Sequence, residues 1–175
     1  MTMADSFDFP DAEIFWPGAE GPPGKRVFFL TGGADGELVY LRCEKQQVAA
    51  LGEYLLALLD DLSPDVEPAE GHGDVTPLPF QWDVGSIGVK YEEPEDRIVV
   101  VLEEIVTGEP TEEPADEAST AADEAQPATA RFCFTLPQAA AFAQFALDLV
   151  AQGRPDCGFC GLPIDPEGHV CPRMN

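Results

Sequence analysis

Short apolar runs separated by turn residues fill the first quarter of the chain. RVFFLTG and LVYLRC flank the turn residues GADGE, and this pattern predicts a β-hairpin. An earlier strand is predicted over Glu13–Trp16, closed by Pro17-Gly18. Residues 1–12 are acidic and sparse in apolar side chains, so we expect them to form a flexible arm.

The spacing of the apolar residues becomes helical after Glu44, and a helix is predicted over about 44–62, ending at Ser63-Pro64. A second helix is predicted over about 136–151, because TLPQ combines an N-cap threonine, a proline in the first turn and a glutamine three residues after the cap. The inward face of the first helix is predicted to consist of Val48, Leu51, Leu55, Leu58, Leu59 and Leu62.

Three more strands are predicted in WDVGSIGVKYE, RIVVVLEEIV and RFCFT, the last of which leads into the second helix. The last two are separated by an acidic insert at about 108–129 that contains no large apolar residue. Such a segment cannot offset its ordering entropy by burial, so it is predicted to be disordered.

The strands and helices form two successive sets that resemble each other. PPGKRVFFL and EPEDRIVVV each have a proline, an arginine three residues later, and four apolar residues. We therefore predict an α+β fold of two β-β-β-α units with a mainly antiparallel sheet. The two units are interpreted as an internal duplication, and chance likeness between amphipathic units is the alternative.

Arg26 and Arg97 hold matching positions in these two patterns, each at the start of a strong strand. Two hypotheses apply to them. They are anchors for an anionic ligand or a partner's carboxylates, or they form plain ion pairs with neighbouring acids.

The charge of the chain restricts its partners. Its 175 residues include 33 acidic and 9 basic ones, for a net charge of −24. This surface disfavours nucleic acid and anionic membranes, and it either serves solubility or faces a basic protein partner. No apolar run is long enough to span a bilayer, and the first residues do not resemble a secretory signal, so we expect a cytoplasmic protein.

The last residues, CGFCGLPIDPEGHVCPRMN, contain three of the five cysteines and one of the two histidines. Cys157, Cys160, His169 and Cys171 make a four-ligand set, which predicts a structural zinc ion (Zn²⁺) in a knuckle over 155–175, after an α+β domain over 13–154. The alternatives are free thiols or a redox-active C-x-x-C pair. The short His-x-Cys spacing leaves open whether His169 is a ligand. Leu162, Ile164 and Val170 are expected to pack on the domain near the second helix.

No residue is predicted to be catalytic. The sequence has no Gly-Lys-Ser/Thr phosphate loop, no G-x-S-x-G and no H-E-x-x-H. Cys43 and Cys133 are expected to be small core residues, and His72 is expected to be solvated.

The chain resembles the DUF3090 family of uncharacterised actinobacterial proteins. The resemblance lies in PPGKRVFFL, EKQQVAAL, VGSIGVKYEEPEDRIVVV, RFCFTLPQAAAFA and the whole tail from Gly153. In the family the tail commonly reads C-P-x-C-G, so Gly158 stands here in place of a proline. The resemblance implies an actinobacterial, cytoplasmic protein and carries no activity with it.

The function predicted from these features is a non-enzymatic adaptor that binds a protein partner through the zinc tail or an adjoining groove. The alternative is an enzyme or enzyme subunit in thiol or phospho-metabolite chemistry, with a site between the two units. The sequence does not determine the oligomeric state.

Overall fold

The computed structural model describes residues 4–106, 126–164 and 168–173. The fold is mixed α+β. After a short first strand, two successive sets of three strands are each followed by one helix. The elements are β1 (Phe7–Phe9), β2 (Ile14–Glu20), β3 (Val27–Ala34), β4 (Glu37–Cys43), α1 (Lys45–Leu62), β5 (Val84–Glu92), a 3₁₀ turn (Glu93–Glu95), β6 (Arg97–Glu104), β7 (Thr129–Thr135) and α2 (Leu136–Ala151).

Two sheets contain these strands. β2-β3-β4 is an antiparallel meander, and the second sheet has the order β1-β7-β6-β5, in which only β1 pairs in parallel. The sheets meet where Arg42 at the end of β4 bridges Asp83 just before β5. A backbone hydrogen bond of 3.1 Å from the Arg42 N–H to the Trp82 carbonyl supports this junction.

Local sequence signals explain the turns and the helix starts. The β3–β4 turn has Asp35 and Gly36 at positive φ (54° and 83°), as a two-residue hairpin requires. α2 begins with a capping box between Thr135 and Gln138, and the predicted helix bounds are confirmed. None of the helices in the described ranges is long and apolar enough to cross a membrane.

Phe15 joins the two sets of elements in one core. Its ring lies 4.8–5.0 Å from the rings of Phe132, Phe134 and Phe142, which belong to β7 and α2. Phe15 itself belongs to β2 and is 2% exposed. Stacked aromatic groups at these distances contribute dispersion as well as burial. The first sheet and the second helix are therefore parts of the same hydrophobic core.

The N-terminal region differs from the prediction of a flexible arm over 1–12. Phe7–Phe9 pair with β7, and the Ala12 N–H donates to the Cys133 carbonyl at 2.8 Å. Phe9 is buried and stacks on Phe132. The partners of Phe7 and Phe9 lie more than a hundred residues away in the sequence, so the local pattern does not reveal them.

β2 also runs further than predicted, through Pro17-Gly18 to Glu20. It lies at the edge of its sheet, where a proline is tolerated because no second neighbour needs its missing N–H. Gly18 is required there, since a Cβ would lie 2.2 Å from the Phe29 ring. The predicted acidic insert falls largely on residues 107–125, which lie outside the described residues.

The repeated element order matches the predicted β-β-β-α units, but the matched arginines differ in phase. In β3, the residues two and four positions after Arg26 enter the common core. In β6, the residues one and three positions after Arg97 do so. Side chains alternate between the faces of a strand, so the two arginines point to opposite faces relative to the core. The duplication remains a prediction. The core-facing residues in question are Phe28 and Leu30 in β3, and Ile98 and Val100 in β6.

Candidate metal centre

The first limb of the centre is a tight reversal that follows α2. The Cys157 N–H donates to the Leu162 carbonyl at 2.8 Å, and the Gly161 N–H donates back to the Cys157 carbonyl at 2.8 Å. Gly161 has a φ of 72°, which an L side chain rarely adopts. A short bridge between Asp156 and Pro163 closes the reversal. This arrangement holds both cysteines of the C-x2-C motif on one side of a single turn.

The second limb supplies His169 and Cys171. It begins with Gly168, whose φ of 92° is one that an L side chain rarely adopts, and the preceding residues 165–167 lie outside the described ranges. The structure brings together all four predicted ligands. The donor atoms of Cys157, Cys160, His169 and Cys171 lie within 4.8 Å of one another.

The distances fit one tetrahedral ion. The Cys157 and Cys171 sulfurs are 3.8 Å apart, and the Cys160 sulfur is 3.4 Å from the His169 Nε2 atom. A tetrahedral ion with metal–sulfur bonds of about 2.3 Å and metal–nitrogen bonds of about 2.0 Å separates two sulfurs by about 3.8 Å and a sulfur and a nitrogen by about 3.5 Å. These two separations therefore match a tetrahedral ion, and the other donor pairs lie within 4.8 Å, so the four residues could hold a metal ion with His169 contributing Nε2.

The two cysteines of the first limb have different electrostatic surroundings. The backbone N–H groups of Phe159 and Cys160 lower the pKa of Cys157, because they stabilise its thiolate. The Leu162 N–H also acts to lower the pKa of Cys160. Burial and the neighbouring thiols oppose it, so that the pKa of Cys160 is raised overall. A divalent cation would offset this repulsion and hold all the sulfurs as thiolates.

The tail is not packed on the domain as predicted. Leu162 and Val170 are 51% and 85% exposed, and only Ile164 is partly buried. Phe159, at the tip of the first limb, is 64% exposed. The Arg173 guanidinium donates to the Phe159 carbonyl at 3.0 Å and ties the two limbs together. The expected docking on α2 is therefore wrong for two of the three aliphatic residues.

Arg97 has a carboxylate partner. Its guanidinium donates to Asp11 at 2.7 Å, and this hydrogen bond raises the pKa of Arg97. The ion-pair hypothesis accounts for it. The pair also fastens the segment after β1 to the start of β6.

Arg26 has a different environment. Its Nη1 atom is buried and has no hydrogen-bond partner among the described residues. It lines a cavity that does not include Arg97, so the structure does not bring the two predicted anchors together. Arg42, Lys45 and Arg154 also line this cavity, although they share no sequence pattern and Arg154 lies far from the other two in the chain.

The remaining candidate groups take structural positions. Burial raises the pKa of the Cys43 thiol to about 12, and burial also raises the pKa of Cys133. Neither is a ready nucleophile, in agreement with their expected role in the core. His72 is exposed and sets its ring edge-on to Trp16, with ring centres 5.3 Å apart.

Comparison with known proteins gives a family. Neither a curated protein nor a solved structure matches the chain. A family model described as "Protein of unknown function (DUF3090)" matches residues 7–171, which is nearly the whole chain and includes all four residues of the metal centre.

Proposed function

The chain belongs to the DUF3090 family, and from the geometry of its tail we propose that it is a zinc-containing adaptor that binds a protein partner. The single observation that carries this proposal is the exposure of Phe159, Leu162 and Val170 (here the tail patch) on a segment whose four clustered Cys and His side chains could hold one metal ion. Exposed apolar groups on a rigid support are typical of protein-binding surfaces.

Zinc is the metal we propose. Three sulfurs and one imidazole form a donor set that suits zinc and is too soft for calcium or magnesium. Four protein ligands leave no coordination position open for a water or a substrate. The ion therefore has a structural role, which is to hold the tail patch in a fixed conformation.

The charge supports a protein partner with a basic surface. At a net charge of −24, the chain repels nucleic acid and anionic lipid, whereas it attracts basic proteins. We also propose a cytoplasmic location, because reducing conditions keep clustered cysteines available as metal ligands.

The second candidate is an enzyme or enzyme subunit with a site between the two units. It is favoured by the cavity that Arg26 lines, because elements of both β-β-β-α sets form its walls. Cys43 is the only thiol in those walls, and the burial that raises its pKa argues against thiol chemistry there. Of the two chemistries of this candidate, thiol chemistry is therefore the less supported.

The test is quantitative capture of a partner by the full chain, followed by titration of the partner identified. Phe159→Ser removes an apolar group without touching a ligand. About 130 Å² of its ring surface is open, from a side chain of about 200 Å², and burying it contributes up to about 3 kcal/mol. We expect the variant to bind up to a hundredfold more weakly.

The controls separate the patch from the metal and from general stickiness. Cys157→Ser should abolish binding by releasing the metal. Leu78→Ser changes a residue that is 60% exposed on the domain and should leave binding intact. A partner captured equally well by all variants would refute the adaptor role of the tail.

A further inference from the structure

A cavity of about 710 Å³ lies where the two sheets meet. Its walls come from the start of β3, the end of β4, the first turn of α1, the start of β5 and the residues just after α2. It lies outside the metal centre, since none of the four metal ligands lines it.

This cavity gathers positive charge in an acidic protein. Arg26, Arg42, Lys45 and Arg154 line it, which is four of the nine basic residues of the chain. Among the described residues, two acidic ones, Glu44 and Asp83, share the walls, so the described lining has two more basic than acidic side chains. With 33 acidic residues available, an arrangement by chance would favour the opposite sign.

The internal pairing leaves positive charge unneutralised. Asp83 forms a bidentate ion pair with Arg42, through both of its carboxylate oxygens. Within the described residues, no ion pair involves Arg26 or Lys45. The buried Nη1 atom of Arg26 lacks an acceptor, so the charge of this guanidinium is poorly compensated. Arg26 lines the cavity, where an anion would offset that charge.

An apolar groove continues from the cavity. It has a volume of about 490 Å³ and shares Gln47 and Gly85 with the cationic cavity. Its other walls are aliphatic or aromatic and come from α1 and β5: Ala50, Leu51, Tyr54, Ile87 and Val89. A ligand that bridged the two spaces would have a charged head and an apolar or aromatic body.

We propose that the cavity binds a phosphomonoester whose apolar or aromatic body lies in the groove between α1 and β5. Two cations of the cavity lack carboxylate partners in the described part of the chain, and the two charges of a phosphate dianion match them better than the one charge of a carboxylate ligand. A guanidinium also binds phosphate oxygens through two parallel hydrogen bonds. This inference is independent of the adaptor function, because the tail patch is not part of the cavity.

The test is isothermal titration of the full, zinc-loaded chain at low salt with three probes. Phenyl phosphate carries both features, inorganic phosphate carries only the head, and benzoate carries the ring with a carboxylate. We expect phenyl phosphate to bind most tightly and to weaken as salt is added. Arg26→Met and Lys45→Met should each weaken it about tenfold or more, as expected for a lost charge-assisted hydrogen bond.

Lys90→Met is the matched control, since it removes one positive charge from the β5 residue that pairs with Glu92, outside the cavity. Lys45 is exposed, so its variant keeps the test valid even if Arg26→Met fails to fold. The proposal is overturned if phenyl phosphate does not bind. It is equally overturned if benzoate binds as tightly, or if Lys90→Met weakens binding as much as Lys45→Met.

Discussion

Removing the metal should release the tail and leave the domain folded. In the described part of the tail, three backbone hydrogen bonds lie within the first limb or join it to Pro155, and each contributes only about 0.5–1.5 kcal/mol. Its apolar side chains are largely exposed. These terms cannot hold some fifteen residues at an ordering cost of about 1–2 kcal/mol each. The metal therefore has to supply most of the order.

The size of the effect follows from the ligand set. Structural zinc in small knuckles binds with about 10–16 kcal/mol at neutral pH, which corresponds to dissociation constants of about 10⁻⁷ to 10⁻¹² M. The stability of the domain should be unaffected by the loss, because the common hydrophobic core has no member after Val150 among the described residues. We expect Cys157→Ser to lower the melting temperature of the domain by less than about 2 °C, which is under 1 kcal/mol for a chain of this length.

The sign of the pH dependence is fixed by proton competition. Zinc displaces the protons of three thiols, whose ordinary pKa is near 8.5, so zinc affinity falls as the pH is lowered. Each thiol contributes up to tenfold per pH unit, which gives up to about a thousandfold for the three. The backbone N–H groups that lower the pKa of Cys157 reduce this dependence for that one ligand.

The assay combines elemental analysis, competition with a coloured chelator, and amide spectra of the tail and the domain. One zinc per chain is expected, and chelation should shift the amide signals of the tail alone. His169→Ala should weaken zinc binding. Full zinc affinity in that variant would exclude His169 as a ligand, and unchanged tail amides after metal removal would refute the metal-ordered tail.

Two further predictions concern the core and the thiols. Phe15→Ala should destabilise the fold by about 3–5 kcal/mol and lower the melting temperature by about 6–20 °C in a single transition. The control Tyr54→Ala, at a half-exposed position, should change the melting temperature little. Two separate transitions would contradict the shared core. The pKa of Cys43 is raised to about 12 and that of Cys133 is also raised, so both thiols should resist alkylation at pH 8 until the domain unfolds. The three tail thiols of metal-free protein should be modified under the same conditions. Rapid modification of Cys43 would show that it is accessible and reactive.

The helices and the clustering of Cys157, Cys160, His169 and Cys171 were predictable because their signals are local. Thr135 and Gln138 mark the start of α2 within four residues, and C-x2-C places two thiols in one turn. β1 was missed because three residues carry too little pattern, and their stabilisation comes from distant partners. The continuation of β2 through Pro17 depends on its being an edge strand, which is a property of the sheet and not of the segment.

The cationic cavity could not be predicted for a similar reason. Arg26, Arg42, Lys45 and Arg154 are spread over 129 positions, and only the junction of the sheets brings them together. The one hint was that basic residues are scarce, which makes each of them informative. The phase difference between Arg26 and Arg97 was also invisible, because it depends on which face of each strand meets the core.

The pairing of β1 with β7 has a consequence for how the chain folds during its synthesis. Phe7 pairs with Ala130, a separation of 123 residues. At about 5–20 residues per second, β7 is made roughly 6–25 s after β1. The meander β2-β3-β4 and α1 can form from local contacts in that interval, whereas Phe7 and Phe9 must wait. The first strand to be synthesised is therefore among the last to pair, and two aromatic side chains stay open to chaperones until the second sheet is complete.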